Sequence, residues 1–371
     1  MENLSFNKPK KNTKIAVAMS GGVDSSVTAA MLKKSGYDVF GITMRLYSQS
    51  DRVNENKTCC AGKDIEDAVN TAKQYNFAHY ILDLQESFFN NVIDDFIETY
   101  KNGETPIPCI RCNQTVKFTD MLKFAKKMNA DALVTGHYAR RIGGLKNAKL
   151  YKALDNKRDQ SYFLFSTTQA QLDYLRFPLG EFTKTEVREI AKKLNLSVTD
   201  KQDSQDICFV TSGSYRDMIS KLKPDSFISG DILNLNGEKI GNHKGIVNYT
   251  IGQRRKIGIG GKVSPLYVVN INAKKNTVTV GEQSDLKKSK IIIGEINWIS
   301  ELEKKIINCD AKIKSDHTPT FGKLTFIKDS IAEFEFNSPQ ISIAPGQACV
   351  FYSGDEVLGG GWIKKEIANL E

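Results

Sequence analysis

No run of apolar residues in this 371-residue chain is long enough to span a bilayer, which argues against a membrane helix. A charged-then-apolar leader is also lacking, so a cytoplasmic location is expected. Internal repeats and low-complexity stretches do not occur, leaving ordinary globular domains. Seven cysteines without a leader are not a disulfide framework; they are expected to be reduced and either buried, metal-bound or reactive. What is present is 40% hydrophobic and 26% charged residues, the composition of a soluble protein of two or three domains. A net charge of +9 and a pI near 9.0, with lysines in every region, point to a polyanionic partner.

One stretch organises the rest: Lys14-Ile-Ala-Val-Ala-Met-Ser-Gly-Gly-Val-Asp-Ser-Ser26. Ile15 to Met19 has strand length, Ser20-Gly21-Gly22 breaks it, and from Asp24 apolar residues recur at helical spacing until Gly36. A strand, a glycine turn and a helix start in that order make an anion-binding concavity. Neither the Lys-Ser/Thr pair of a Walker loop nor the three-glycine dinucleotide spacing is there. Ser20-Gly-Gly-Val-Asp-Ser25 instead resembles the pyrophosphate loop of the ATP pyrophosphatases. That likeness implies a grip on the β- and γ-phosphates and adenylation of a substrate.

Strands at Asp38 to Met44, Ala78 to Leu82 and Ala132 to Thr135 alternate with helices at Asp64 to Tyr75, Ser87 to Tyr100 and Thr115 to Met128. The alternation predicts an α/β fold with a parallel sheet and ligands at its carboxyl edge. Ser48 to Cys60 and Gly103 to Cys112 read as loops, the latter held open by Pro106 and Pro108. A hairpin or loop is expected over Leu150 to Phe165, and Thr183 with Glu186 is a capping box opening a helix to about Leu194. Asp200 to Val210 is a polar loop holding Asp203, Asp206 and Cys208. Gly230 to Gly261 is glycine-rich, and strand alternation follows from Pro265 to Val280. From Lys288 onward, short strands with turns every eight to twelve residues predict a small antiparallel barrel. Expected units are therefore 1–205, a catalytic domain; 206–287, a small central domain; and 288–371, the C-terminal β-barrel.

Cys109-x-x-Cys112 beside Cys59-Cys60 fits half of a zinc or iron–sulfur site, although adjacent cysteines make poor tetrahedral ligands. A redox role instead needs two thiols that meet, for which Cys112 and Cys208 qualify. Cys349 lies in an apolar strand pattern and is expected in a core.

Seven motifs run in order along nearly the whole chain. They are the Ser20–Ser25 loop, Cys109-Ile-Arg-Cys-Asn-Gln-Thr-Val-Lys-Phe118, Thr135-Gly-His-Tyr138, Asp159-Gln-Ser-Tyr-Phe-Leu164, Asp203-Ser-Gln-Asp-Ile-Cys-Phe209, Tyr249-Thr-Ile-Gly-Gln-Arg254, and Pro345-Gly-Gln347 with Leu358-Gly-Gly-Gly361. Together they resemble the tRNA-specific 2-thiouridylase family. The resemblance implies an adenine-nucleotide α-hydrolase-like first domain and a central tRNA-binding domain. It implies ATP with Mg2+, bound by Ala18, Met19, Ser20, Gly21, Gly22, Val23, Asp24, Ser25, Met44 and Gly136. It implies tRNA contact by Ile107, Pro108, Cys109, His137, Arg158, Asp159, Gln160 and Gln347. Cys208 would carry a persulfide from a sulfur-donor protein, with Cys112 as second catalytic thiol closing a disulfide with it. No resident metal ligands are assigned. The chain departs from the family with Ile107-Pro108-Cys109 in place of Asn-Pro-Asp and with Ser204-Gln205-Asp206 in place of Ser-x-Gly. Lys312 to Pro319 stands where relatives show arginine-tyrosine-arginine, which weakens phosphate contacts there. Other ATP pyrophosphatases (amide or argininosuccinate-type ligases), a tRNA-binding module without turnover, and iron–sulfur-dependent thiolation are the rival functions.

Overall fold

A computed structural model describes residues 4–47, 62–202, 207–210, 214–260, 265–300, 306–328, 330–341 and 343–365. Asp203 and Asp206, and the whole of the loop expected at Ser48 to Cys60 with its two cysteines, lie outside the described residues. Strands β1 (Lys14–Ala18), β2 (Asp38–Arg45), β3 (Ala78–Asp83), β4 (Ala132–Thr135) and β7 (Leu175–Arg176) form one sheet in the order β3-β2-β1-β4-β7. Every pairing in it is parallel. Ile15, Ala16 and Val17 are fully buried, as a central strand covered on both faces requires. Helices α1 (Val23–Lys34) and α2 (Gly62–Gln74) follow β1 and β2. Thr183 and Glu186 exchange the two capping bonds expected at the start of helix Lys184–Lys193.

Of the hairpin or loop expected over 150 to 165, the hairpin lies earlier, as β5 (Ala139–Ile142) and β6 (Lys149–Lys152), and residues 153–160 form a loop. Residues 161–164 are instead a short 3-10 turn whose Tyr162 is buried and donates to the Ala348 carbonyl at 3.0 Å. Pairing with a distant strand explains the shift, because Leu150 and Tyr151 join Val357 and Glu356 at the edge of the C-terminal sheet.

A second sheet runs β10-β11-β8-β9, from β8 (Gly230–Leu233), β9 (Lys239–His243), β10 (Tyr267–Asn272) and β11 (Thr277–Gly281). The expected barrel is built from β12 (Lys288–Trp298), β13 (Ile306–Lys312), β14 (Thr320–Lys328), β15 (Ile331–Gln340), β16 (Ala348–Ser353) and β17 (Glu356–Ile363). Their order is β12-β15-β14-β13-β16-β17, and β17 pairs back to β12 to close it. Cys349 and Cys309 are buried in its core with Phe334 and Phe351. A separate apolar cluster is continuous between the first domain and the barrel, taking in Phe88, Phe96, Cys112, Tyr162, Val350 and Trp362.

The loop expected at Gly103 to Cys112 is half helix. Ile107 is held out of the helical region (φ −125°, ψ 84°), as a residue before proline is, but Pro108 opens a helix rather than preventing one. Helix Pro108–Arg111 continues as a π-helical stretch, Cys112–Met121, and then as Leu122–Lys127. Both cysteines of the Cys-x-x-Cys pair therefore stand on its first turn and a half.

Candidate active site

Ala18 ends β1, and the next six residues turn into α1. Gly21 has φ +72°, and a Cβ there would lie 2.0 Å from the Asp64 carbonyl oxygen of α2, so only glycine fits. Inside the turn the Ser20 amide donates to Ser25 Oγ at 3.1 Å, and that hydroxyl donates to the Gly22 carbonyl at 3.2 Å. Gly136, just past β4, packs so closely on α1 that a Cβ would meet the Asp24 carbonyl carbon and the Ser25 nitrogen at 3.0 Å. Met44 is buried near the end of β2. All ten residues assigned to the nucleotide thus lie at the end of β1, in the turn after it, at the start of α1, or at or just past the carboxyl-terminal ends of the strands flanking β1.

Two lysines absent from the sequence expectation hold this turn. Lys184 Nζ reaches both Asp24 carboxylate oxygens, at 2.8 and 2.9 Å, and the Tyr138 hydroxyl donates to the same carboxylate at 2.9 Å. Lys201 Nζ donates to the Gly21 carbonyl at 2.9 Å and bridges Asp64 and Asp67, each at 2.5 Å. These partners lie 160 and 137 residues apart for Lys184–Asp24 and Lys201–Asp64, and no local pattern marks them.

The thiols form the second half of the site. Cys112 is buried and belongs to the same apolar cluster as Met44 and Phe88, against which Cys208 and Tyr47 pack. The Tyr47 hydroxyl lies 3.4 Å from Cys208 Sγ, and Phe209 stacks edge-on against Phe88 and Phe96. Among the described residues the five cysteines are thiols and no disulfide is formed, so the Cys112–Cys208 bond implied by the family is not made in this state. No group of three His, Cys, Asp or Glu residues close enough to hold a metal ion occurs among the described residues.

Burial pushes the Cys112 thiol up to about 11, opposed by the nearby Lys117 charge and reinforced by Cys109. Burial also holds His137 well below its ordinary 6.5, helped by the same Lys117, so its ring is neutral at pH 7. The Lys117 charge therefore acts on both Cys112 and His137. Lys117 donates to Asn113 Oδ1 at 3.1 Å, and the Asn113 amide donates to the Phe163 carbonyl at 3.0 Å. In an α-helix residues 112 and 117 diverge, whereas the wider π turn brings positions i and i+5 together. Lys117 was quoted in its motif without a role, and only this irregular helix supplies one.

The remaining assigned residues divide by what they touch. Cys109 is exposed on the first helical turn, after half-buried Ile107 and buried Pro108. Thr135 Oγ1 lies 2.7 Å from His137 Nδ1. Asp159 accepts from the Ala153 and Ser161 amides and from the Ser161 hydroxyl, so it braces its own turn. Gln160 Oε1 accepts from the Tyr138 amide at 3.0 Å. Arg158 is exposed and lines a cleft with Lys157, Lys184, Arg188 and Lys192 that leads back to Asp24. Gln347, in the barrel, donates to the Thr105 carbonyl at 3.0 Å, just before the cysteine helix. The Thr105 amide returns a bond to the Pro345 carbonyl at 2.7 Å. Arg111 lies 4.3 Å over the Trp362 ring and also approaches Asp95 (3.5 Å) and Glu295 (3.7 Å). The barrel thus grips the segment that leads into Cys112.

A parallel sheet whose first strand runs through a serine–glycine turn into a helix defines the class: an adenine-nucleotide-type α/β domain joined to a β-barrel. Family profiles match it in three parts, described as a tRNA methyl transferase HUP domain over residues 13–212, a PRC-barrel domain over 216–282 and an aminomethyltransferase β-barrel domain over 288–363. The chain is 50% identical over 365 residues to the tRNA-specific 2-thiouridylase MnmA of Orientia tsutsugamushi, covering 98% of this chain and 99% of that one. It is 47% identical to the protein of that name from Rhodospirillum centenum (100% and 96% covered) and 49% identical to that from Rickettsia massiliae (98% and 100%). The chain belongs to the tRNA-specific 2-thiouridylase family.

Proposed function

We propose that the protein is an ATP-dependent sulfurtransferase that thiolates C2 of the wobble uridine in target tRNAs. The glycine turn and the start of α1 take the ATP phosphates, with backbone amides and the Ser20 and Ser25 hydroxyls as donors. A ring carbonyl is a poor electrophile, and transferring AMP to its oxygen makes that oxygen a leaving group and releases pyrophosphate. A persulfide on Cys208, loaded by a donor protein, attacks C2 and expels AMP. The Cys112 thiolate then attacks Cys208 Sγ, leaving one sulfur on the base and joining the two cysteines. Asp24 and Asp64 are each engaged by a lysine, so Mg2+ would be carried mainly by the nucleotide's own phosphates, where it neutralises developing charge.

The observation that carries this reading is that Cys112 and Cys208, 96 positions apart in sequence, border one apolar cluster that also contains Met44. The uridine is splayed out of the anticodon loop, as enzymes acting on bases require. tRNA contact is assigned to His137, Arg158, Gln160 and Gln347, and Asp159 acts through the turn it braces. The units 1–205, 206–287 and 288–371 divide the work into catalysis, tRNA docking and support of the cysteine helix. A cytoplasmic location follows from the substrate. Mass spectrometry of nucleosides from tRNA incubated with protein, ATP, Mg2+ and a persulfide source tests the reaction. Expected is 2-thiouridine, abolished by Cys112→Ser and by Cys208→Ser. Retention in both variants overturns the roles, and ATP turnover without thiolation points to a ligase of the same superfamily.

A further inference from the structure

The family aspartate is replaced here by Cys109, and the structure gives this third thiol a definite position. Cys109 is exposed and Cys112 is buried, three residues apart at the start of one helix. Pro108 fixes the first helical position, so Cys109 lies among the first-turn amides that have no acceptor within the helix. Side chains three apart on a helix have Cβ atoms about 5–6 Å apart, against about 3.5–4.5 Å in a disulfide. The difference, about 1–2 Å, is small enough to be closed by side-chain rotation and a slight backbone shift. Cys109 is open to solvent, whereas Cys112 lies in an apolar cluster that a soluble reductant does not enter.

Resting on the thiolation chemistry above, we propose that Cys109 resolves the disulfide left after each sulfur transfer. The Cys109 thiolate attacks Cys112 Sγ; the Cys109–Cys112 bond forms, the Cys112–Cys208 bond breaks, and Cys208 leaves as a thiolate that takes up the proton Cys109 gave to solvent. No net oxidation occurs in this exchange. Cys208 is returned ready to be loaded again, and the oxidising equivalent sits on an exposed pair. A small dithiol or a dithiol protein then supplies two electrons and two protons to restore Cys109 and Cys112. The couple works by surface access to one sulfur and burial of the other.

Two measurements test it. Full-length protein carrying Cys208→Ser is equilibrated anaerobically in glutathione redox buffers, quenched with an alkylating reagent and mapped by peptide mass spectrometry. A Cys109–Cys112 disulfide in most molecules under mildly oxidising ratios is expected; alkylation of both cysteines at every ratio overturns the assignment. This arm needs no tRNA and is independent of the thiolation reaction. Wild-type protein is then mapped after one round of thiolation with persulfide, ATP and tRNA. Expected is a Cys109–Cys112 disulfide with Cys208 alkylated, shifting to Cys112–Cys208 in Cys109→Ser. Cys112–Cys208 in both proteins refutes the exchange, as does stoichiometric iron in anaerobically purified protein whose loss accompanies Cys109→Ser. If the first arm succeeds and no 2-thiouridine forms, the dithiol stands and the thiolation assignment fails.

Discussion

Cys112 is where the closed structure and its chemistry pull in opposite directions. A thiol pushed up to about 11 from an ordinary 9.0 is a poor nucleophile in this state. At pH 7.5 an ordinary thiol is ~3% thiolate and this one ~0.03%, roughly a hundredfold less nucleophile. The cause is desolvation within the cluster, with Lys117 offsetting only part of it. Binding of tRNA and nucleotide must therefore move the cysteine helix or wet it before Cys112 can act. Iodoacetamide alkylation of Cys112, followed by peptide mapping from pH 6.5 to 11.5, checks this. In protein alone the rate should climb without levelling until about pH 11, and with tRNA and a non-hydrolysable ATP analogue its midpoint should fall. Stability follows the same linkage. The folded value lies above the unfolded one, so both states keep the proton below pH 9. Above it the unfolded chain ionises first, and stability falls between pH 9 and 11 by at most about 3 kcal/mol. Cys112→Ala should remove that portion of the alkaline slope in urea titrations. An alkylation midpoint at or below 9 in the protein alone, or an unchanged slope, refutes the reasoning.

Gly21→Ala should cost about 1–2 kcal/mol for the left-handed backbone alone, before the Cβ displaces the Asp64 carbonyl 2.0 Å away. ATP-dependent pyrophosphate release should drop about tenfold or more, measured by a coupled phosphate assay; unchanged turnover would mean the turn is not constrained. Arg111→Met removes the stack on Trp362 and two half-exposed ion pairs, together about 1–2 kcal/mol. Cys112 should then alkylate severalfold faster at fixed pH, and an unchanged rate would show that the barrel does not restrain the helix.

The parts of this fold legible in the sequence are those whose signal is local. Ile15-Ala16-Val17, the glycine turn and the helical spacing after Asp24 lie within one short stretch, and they are found together in space as they are in sequence. Thr183 and Glu186 cap their helix three residues apart, and the turn spacing after Lys288 gives the barrel. What was misplaced depends on distant partners. The hairpin at 139–152 is fixed by the edge of β17, some two hundred residues on, and so could not be located from its own alternation. Pro108 was read as a loop residue because proline before a turn and proline at the first helical position look alike without the helix that follows.

The functional consequences of those misplacements are larger than their length suggests. Placing Pro108 at the start of a helix sets Cys109 outside and Cys112 inside, a distinction that a loop would not fix. The same helix continues as a π-helical stretch carrying Lys117, whose charge acts on both Cys112 and His137. The barrel completes the arrangement through Gln347 on Thr105 and Trp362 under Arg111, contacts that bracket the helix start from the far end of the chain. Motif matching identifies the reacting atoms because they recur as short strings. The control of their reactivity is written in burial, in an irregular helix and in contacts between the first domain and the last. In this structure that control holds the Cys112 thiol protonated at neutral pH.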